Sequence, residues 1–175
     1  MKKTNLFHAV LLPGILLIAL SCQKEASYEM QPQKETNTGS FRSATPPFNL
    51  EVILRGEGDQ FGHVKFRQDV DAAKIVTLET WVRDLEPNHE YLLQRAVDPA
   101  NDVDGNCTST SWLTLGKGLT PQSILTDDKG TGNESLWRDI TAIPTGTGFD
   151  IHFRVIDKTT NSVVLVSDCY EYIVR

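Results

Sequence analysis

The sequence predicts an all-β domain, an antiparallel β-sandwich of about eight strands, behind an export signal and a polar tether. Three observations predict it. Beyond residue 47, apolar residues recur at every second position, the period of a half-buried strand. Clusters of Gly, Pro, Asn and Asp punctuate those runs at turn positions. No stretch of helical period is long enough to compete. At 175 residues, 39% of them hydrophobic and 23% charged, the chain has the composition of a globular protein with one domain as the default.

Residues 1–21 come first. Lys2 and Lys3 form a positive start, and Leu6 to Leu20 is apolar apart from His8, Pro13 and Gly14. Ala19, Leu20 and Ser21 then precede Cys22. This is the layout of a secretory signal, and the apolar run is too short and too interrupted for a transmembrane helix. Ala-Leu-Ser-Cys resembles the lipobox of bacterial lipoproteins, as in Bacteroidota. The resemblance implies cleavage just before Cys22, acylation of its thiol, and attachment to a lipid bilayer that is effectively permanent. With Gln23 rather than Asp after the cysteine, it also implies the cell envelope's outer membrane, on either its periplasmic or its surface face.

Residues 22–47 hold the lipidated Cys22 and a stretch rich in Gln, Lys, Glu, Ser and Thr that ends in Pro46-Pro47. It has too little apolar surface to offset the entropy of ordering, so it reads as a flexible tether. A coil of that length spans about 25–30 Å. Loss of residues 1–21 removes Lys2 and Lys3 and no acid, leaving 15 Lys+Arg against 23 Asp+Glu over 154 residues, a net charge of −8. A phosphate-binding surface needs a basic excess, so nucleic acid is excluded as a partner.

The domain is residues 48–175. Leu50, Val52 and Leu54 alternate with Glu51 and Arg55, Val64 and Phe66 with Lys65 and Arg67, and Val76, Leu78 and Val82 with Thr77, Glu79 and Arg83. Ile151, Phe153 and Val155 alternate with His152 and Arg154. Glu90–Val97, Ser111–Leu115, Glu134–Ile140 and the Val- and Tyr-rich run Ser162–Val174 complete the set. Gly56-Glu57-Gly58-Asp59, Pro87-Asn88, Asp127-Asp128-Lys129-Gly130 and Pro144-Thr145-Gly146 supply the turns. Pro121–Leu125 is the one segment open to a helical reading, and it is short. Half-buried strands in this number argue for the sandwich.

The stretch Leu85-Glu86-Pro87-Asn88-His89-Glu90-Tyr91, followed by Leu92 to Val97, resembles the L-x-P-x-x-x-Y corner of fibronectin type III domains. That resemblance implies an immunoglobulin-like sandwich in which the Tyr91 ring packs at a corner and its hydroxyl ties to nearby backbone.

Two cysteines follow Cys22. In an oxidising compartment Cys107 and Cys169 read as one disulfide, the other possibility being two buried thiols. Closing a loop of that length restricts the unfolded chain by about 4 kcal/mol.

Three groups of residues bear on chemistry. His63, His89 and His152 form neither H-x-H nor H-E-x-x-H, and no nucleophile elbow or P-loop occurs, so no enzyme is expected. Asp98, Asp102, Asp104 and Asn106 offer oxygens to calcium in one loop, although the EF-hand register fails, with Ala100 at the first ligand position and Ser111 at the twelfth. Calcium in a structural role is the only cofactor suggested. Trp81, Trp112 and Trp137 fall on the polar side of their strands, the arrangement of a platform that stacks sugar rings or a peptide. The expected function is therefore a membrane-anchored, non-enzymatic binding module for a glycan or peptide. The alternative is a structural component of an envelope complex, with the tryptophans in a core or a protein interface.

Overall fold

The computed structural model describes residues 46–175; the signal, Cys22 and the tether up to residue 45 lie outside the described residues. Among them are twelve strands and no helix: β1 Phe48–Arg55, β2 Phe61–Gln68, β3 Ile75–Arg83, β4 Glu90–Val97, β5 Leu113–Thr114, β6 Gly116–Lys117, β7 Thr120–Pro121, β8 Ser123–Leu125, β9 Gly132–Asp139, β10 Gly148–Asp157, β11 Val163–Ser167 and β12 Tyr170–Ile173. The all-β class is as expected.

The layout differs from a pair of separate sheets. β1, β2 and β3 form an antiparallel meander, with Phe48 opposite Gln68 and Gln68 opposite Val76. β9 joins β3, β11 joins β1, and β10 lies between β11 and β4. β8 pairs with β4 and meets β9 through an antiparallel bridge, Thr126 to Gly132. Hydrogen bonds therefore run almost all the way round, and the strands make one sheet nearly closed into a barrel. It is a mixed sheet, because β6 pairs parallel to β9 at Lys117 and Trp137. The physical reason is the chain's use of corners. Leu113–Lys117 crosses from β4, where β5 pairs, to β9, where β6 pairs, and this carries the ladder over a gap that would otherwise divide two sheets.

Two segments depart from the sequence reading. Pro121–Leu125 is extended, at the end of β7 and in β8, rather than helical. The run Ser162–Val174 divides into β11 and β12 at Asp168 and Cys169. Cys169 is bonded there to Cys107, with Cα atoms 5.4 Å apart, so the disulfide fastens the long loop after β4 to the turn between the last two strands.

Inward positions follow the period of two. Val76, Leu78, Thr80 and Val82 of β3 are buried while Thr77, Glu79, Trp81 and Arg83 are exposed. The core joins Val52, Leu54, Val64, Leu93, Phe153 and Leu165. At one end the Tyr172 ring meets Phe66 edge-on at 4.8 Å and Phe48 at 5.0 Å. Its hydroxyl donates to Gln68 Oε1 at 2.7 Å, and burial pushes that hydroxyl's pKa up. At the start of β4, the buried Tyr91 accepts the Glu86 N–H at 3.0 Å, and Thr126 Oγ1 donates to the Glu86 carbonyl at 2.6 Å.

Candidate functional site

Trp81 and Trp137 stand on the outer face of the β2–β3–β9 wall, 36% and 40% exposed. Register fixes their relation. Trp81 lies opposite His63 on one side and Asn133 on the other, and Trp137 lies opposite Thr77. They are thus on adjacent strands and four residues apart along the strand direction, about 13 Å. Between them the face carries Glu79 and Ser135, joined by a 2.7 Å hydrogen bond from the Ser135 hydroxyl, flanked by Lys65 and Arg67. Both indoles are braced. Trp81 meets Phe61 edge-on at 6.1 Å, with the Arg83 guanidinium over the Phe61 ring at 5.3 Å. Trp137 lies against Gly118, whose φ of +67° and lack of a side chain let the ring in. Two held indoles with hydrogen-bonding groups between them can stack apolar ring faces and grip hydroxyls.

Trp112 is not part of this face. It precedes β5 and packs over β10, where the Arg154 guanidinium lies 4.0 Å from its ring and His152 is 4.6 Å away. The sequence places all three tryptophans on polar sides, but strand phase does not say which wall each belongs to, and the fold brings together only two. The three histidines are half-buried and partnered. His152 contacts the Ser109 carbonyl at 3.0 Å, His63 pairs with Glu51, and His89 Nε2 lies 2.8 Å from Asp157.

His89, Asp157 and Glu86 are the one set of three potential metal-binding side chains that converge among the described residues. Asp157 is occupied, however. Its Oδ1 accepts the N–H groups of Thr159 and Thr160, and those bonds, with His89 beside them, hold its carboxyl below the usual range. The set ties the corner before β4 to the end of β10.

The loop after β4 uses its acids in the same way. The buried Asp98 accepts N–H groups from Thr108 and Ser109 and the Thr108 hydroxyl, which lowers its pKa. Asp104 Oδ1 accepts the Asn106 N–H at 2.9 Å, and Asp102, Asp104 and Asn106 are exposed. Asp98, Asp102 and Asp104 do not converge as a ligand set. The loop is shaped instead by Asp98 and by Asp150, a buried side chain of β10 whose Oδ2 accepts the N–H groups of Asp104 and Gly105 at 2.8 Å.

A half-open pocket of about 110 Å³ lies at the barrel wall, lined mostly by apolar side chains, with the half-buried Arg95 and Arg138 among its walls. The sequence carries a signal for these two arginines in their strand phase. Arg95 shares phase with Tyr91 and Leu93, and Arg138 with Leu136. A charge in the apolar phase of a strand points inward. The chain matches no protein-family model and no curated protein, so the reading of its function rests on its own geometry.

Proposed function

We propose that this is an exported, lipid-anchored and non-catalytic binding module whose outer β2–β3–β9 face takes carbohydrate. The observation that carries the reading is the pair Trp81 and Trp137, exposed on one wall, braced from behind and separated by polar groups. A single sugar ring covers one indole, whereas the spacing suits a short oligosaccharide laid across the strands. The anchoring half of the reading rests on Lys2, Lys3, the apolar run and Cys22, and it holds the domain to the bilayer, as an outer-membrane lipoprotein, through acylated Cys22 alone. The finer fold assignment, an immunoglobulin-like sandwich, belongs to the same proposal and is supported by the buried Tyr91 and its Glu86 contact.

The test is tryptophan fluorescence of the full chain titrated with a panel of polysaccharides. Saturable quenching by one sugar class is expected, with Trp81→Ala and Trp137→Ala each weakening it about tenfold or more. Trp112→Phe should leave it unchanged. A flat response from every polysaccharide sinks the carbohydrate reading. Separately, Cys22→Ser should move the protein from the membrane fraction to the soluble one, and retention in the membrane would refute the anchor.

A second reading, a component of an envelope protein complex, is favoured by Leu119, which is 82% exposed between β6 and β7, close to Trp137. Under that reading Leu119→Asp would dissolve a complex isolated from cells, while sugar titrations stay flat.

A further inference from the structure

The half-open pocket lies on the inner side of the strands, opposite the tryptophan face. Its floor is buried and apolar, including Phe66, Leu78, Ile151 and Phe153. Arg95 of β4 lies opposite Phe153 of β10, and Arg138 of β9 lies opposite Val76 of β3. Since Phe153 and Val76 are core residues, both arginines project from the inner side of their strands. Arg138 Nη1 donates to the Gly118 carbonyl at 3.3 Å. Among the described residues no carboxylate pairs with either guanidinium, and Arg95 makes no side-chain hydrogen bond. Elsewhere Arg67 and Arg83 pair with Asp69 and Asp84, and Arg154 donates to Gln94.

This pairing is the reverse of what electrostatics alone favours. The chain has more acids than bases, yet two like charges face one apolar cavity with no acid between them. Burial pushes the Arg95 pKa down, and the nearby Arg138 charge pushes it further. A desolvated charge is tolerated when an opposite charge and hydrogen bonds meet it. Guanidinium groups present planar forks that match a carboxylate in two-point contact.

We infer that the cavity is a binding site for a small organic anion, its carboxylate held by Arg95 and Arg138 and its apolar body seated against Phe66, Leu78, Ile151 and Phe153. Set beside the closed cavity of roughly 150 Å³ that takes up benzene, a half-open pocket of about 110 Å³ suits part of one aromatic ring or a short alkyl chain. The site discriminates by charge as well as shape. A neutral molecule of the same outline fills the apolar floor and leaves both guanidinium groups without a carboxylate partner.

The experiment compares 3-phenylpropionate with 3-phenylpropan-1-ol, two probes of similar outline and different charge, by calorimetry and by amide NMR shifts of the full chain. The acid is expected to bind saturably at one site, with shifts at Arg95, Arg138 and their strand neighbours, and the alcohol at least tenfold more weakly. Arg95→Gln and Arg138→Gln should each weaken the acid tenfold or more and leave the alcohol unaffected. Equal binding of acid and alcohol would overturn the anion site, as would unchanged affinity in both variants or no saturable binding of the acid. The comparison of the two probes needs no variant, so it stands even where a substitution disturbs folding. Sugar titrations at the outer face are indifferent to either result.

Discussion

Gln68 is fully buried, and it holds the end of the chain. Its Oε1 accepts from the Tyr172 hydroxyl and from the Arg175 N–H at 2.9 Å, and its Nε2 donates to the Arg175 carbonyl at 3.1 Å. Gln68→Leu keeps the apolar bulk and leaves the buried Tyr172 hydroxyl and two part-buried Arg175 backbone groups without this partner, so a loss of about 1–3 kcal/mol is expected in urea unfolding. The aspartates make a second expectation. Asp98, Asp127, Asp139 and Asp157 all have lowered pKa values, chiefly because backbone N–H groups of Thr108, Thr131, Thr141 and Thr160 respectively hold the charged form. A carboxyl that binds its proton less tightly when folded stabilises the fold above its unfolded pKa, about 3.9, and that stabilisation drains away as pH falls through and below it. Unfolding midpoints should therefore change little on this account from pH 7 to 5 and drop below about pH 4, with Asp98→Asn showing a smaller drop. Asp98 also shows why side-chain roles were only half legible. An aspartate in a loop suits calcium and suits backbone capping equally well. What separates them is whether free N–H groups lie within reach, and Thr108 and Ser109 come within reach only through the loop's folded path.

At the scale of elements, the meander was the easiest part to see. Burial alternates along β1, β2 and β3 because one side faces the core and the other faces outward, so most of the pattern shows in the order of residues, with Ile53 and the buried Gln68 and Thr80 as exceptions. The short strands were hidden for the converse reason. β5, β6 and β7 have two residues each, too few to establish a period; β5 forms on an edge of β4, β6 on an edge of β9, and β7 on β6. β8 is strand rather than helix for the same cause, since Tyr91 and Leu92 of β4 take up its backbone groups. Gly118 connects these small strands to the tryptophan face. A Cβ there would sit 2.9 Å from the Trp137 ring, on a backbone with φ of +67°. Gly118→Ala should displace the indole, red-shift its emission and lower stability by about 1 kcal/mol or more. An unaltered spectrum would mean that the ring does not rest on that turn.

For the whole molecule, the all-β class was readable from composition and period, while the near-closure of the sheet was not. Closure depends on Thr126 meeting Gly132 and on Leu113–Lys117 crossing from one wall to another, contacts that no local pattern encodes. The disulfide was readable because Cys107 and Cys169 are the two cysteines of residues 48–175, which leaves one pairing within that stretch, and the fold places them together. Cys107→Ser with Cys169→Ser should cost about 4 kcal/mol by the loop-entropy argument. Non-reducing peptide mass spectrometry should recover the two cysteines in one cross-linked fragment.

The same bridge limits how far the protein lengthens under tension. Cys107 and Cys169 are 62 positions apart in sequence, and a load pulling on the two chain ends passes through the sulfur atoms and bypasses everything between them. About 200 Å of contour length stays slack even after the strands have come apart. A stretched, oxidised molecule is thus a short leash, and reduction pays out the rest of the line.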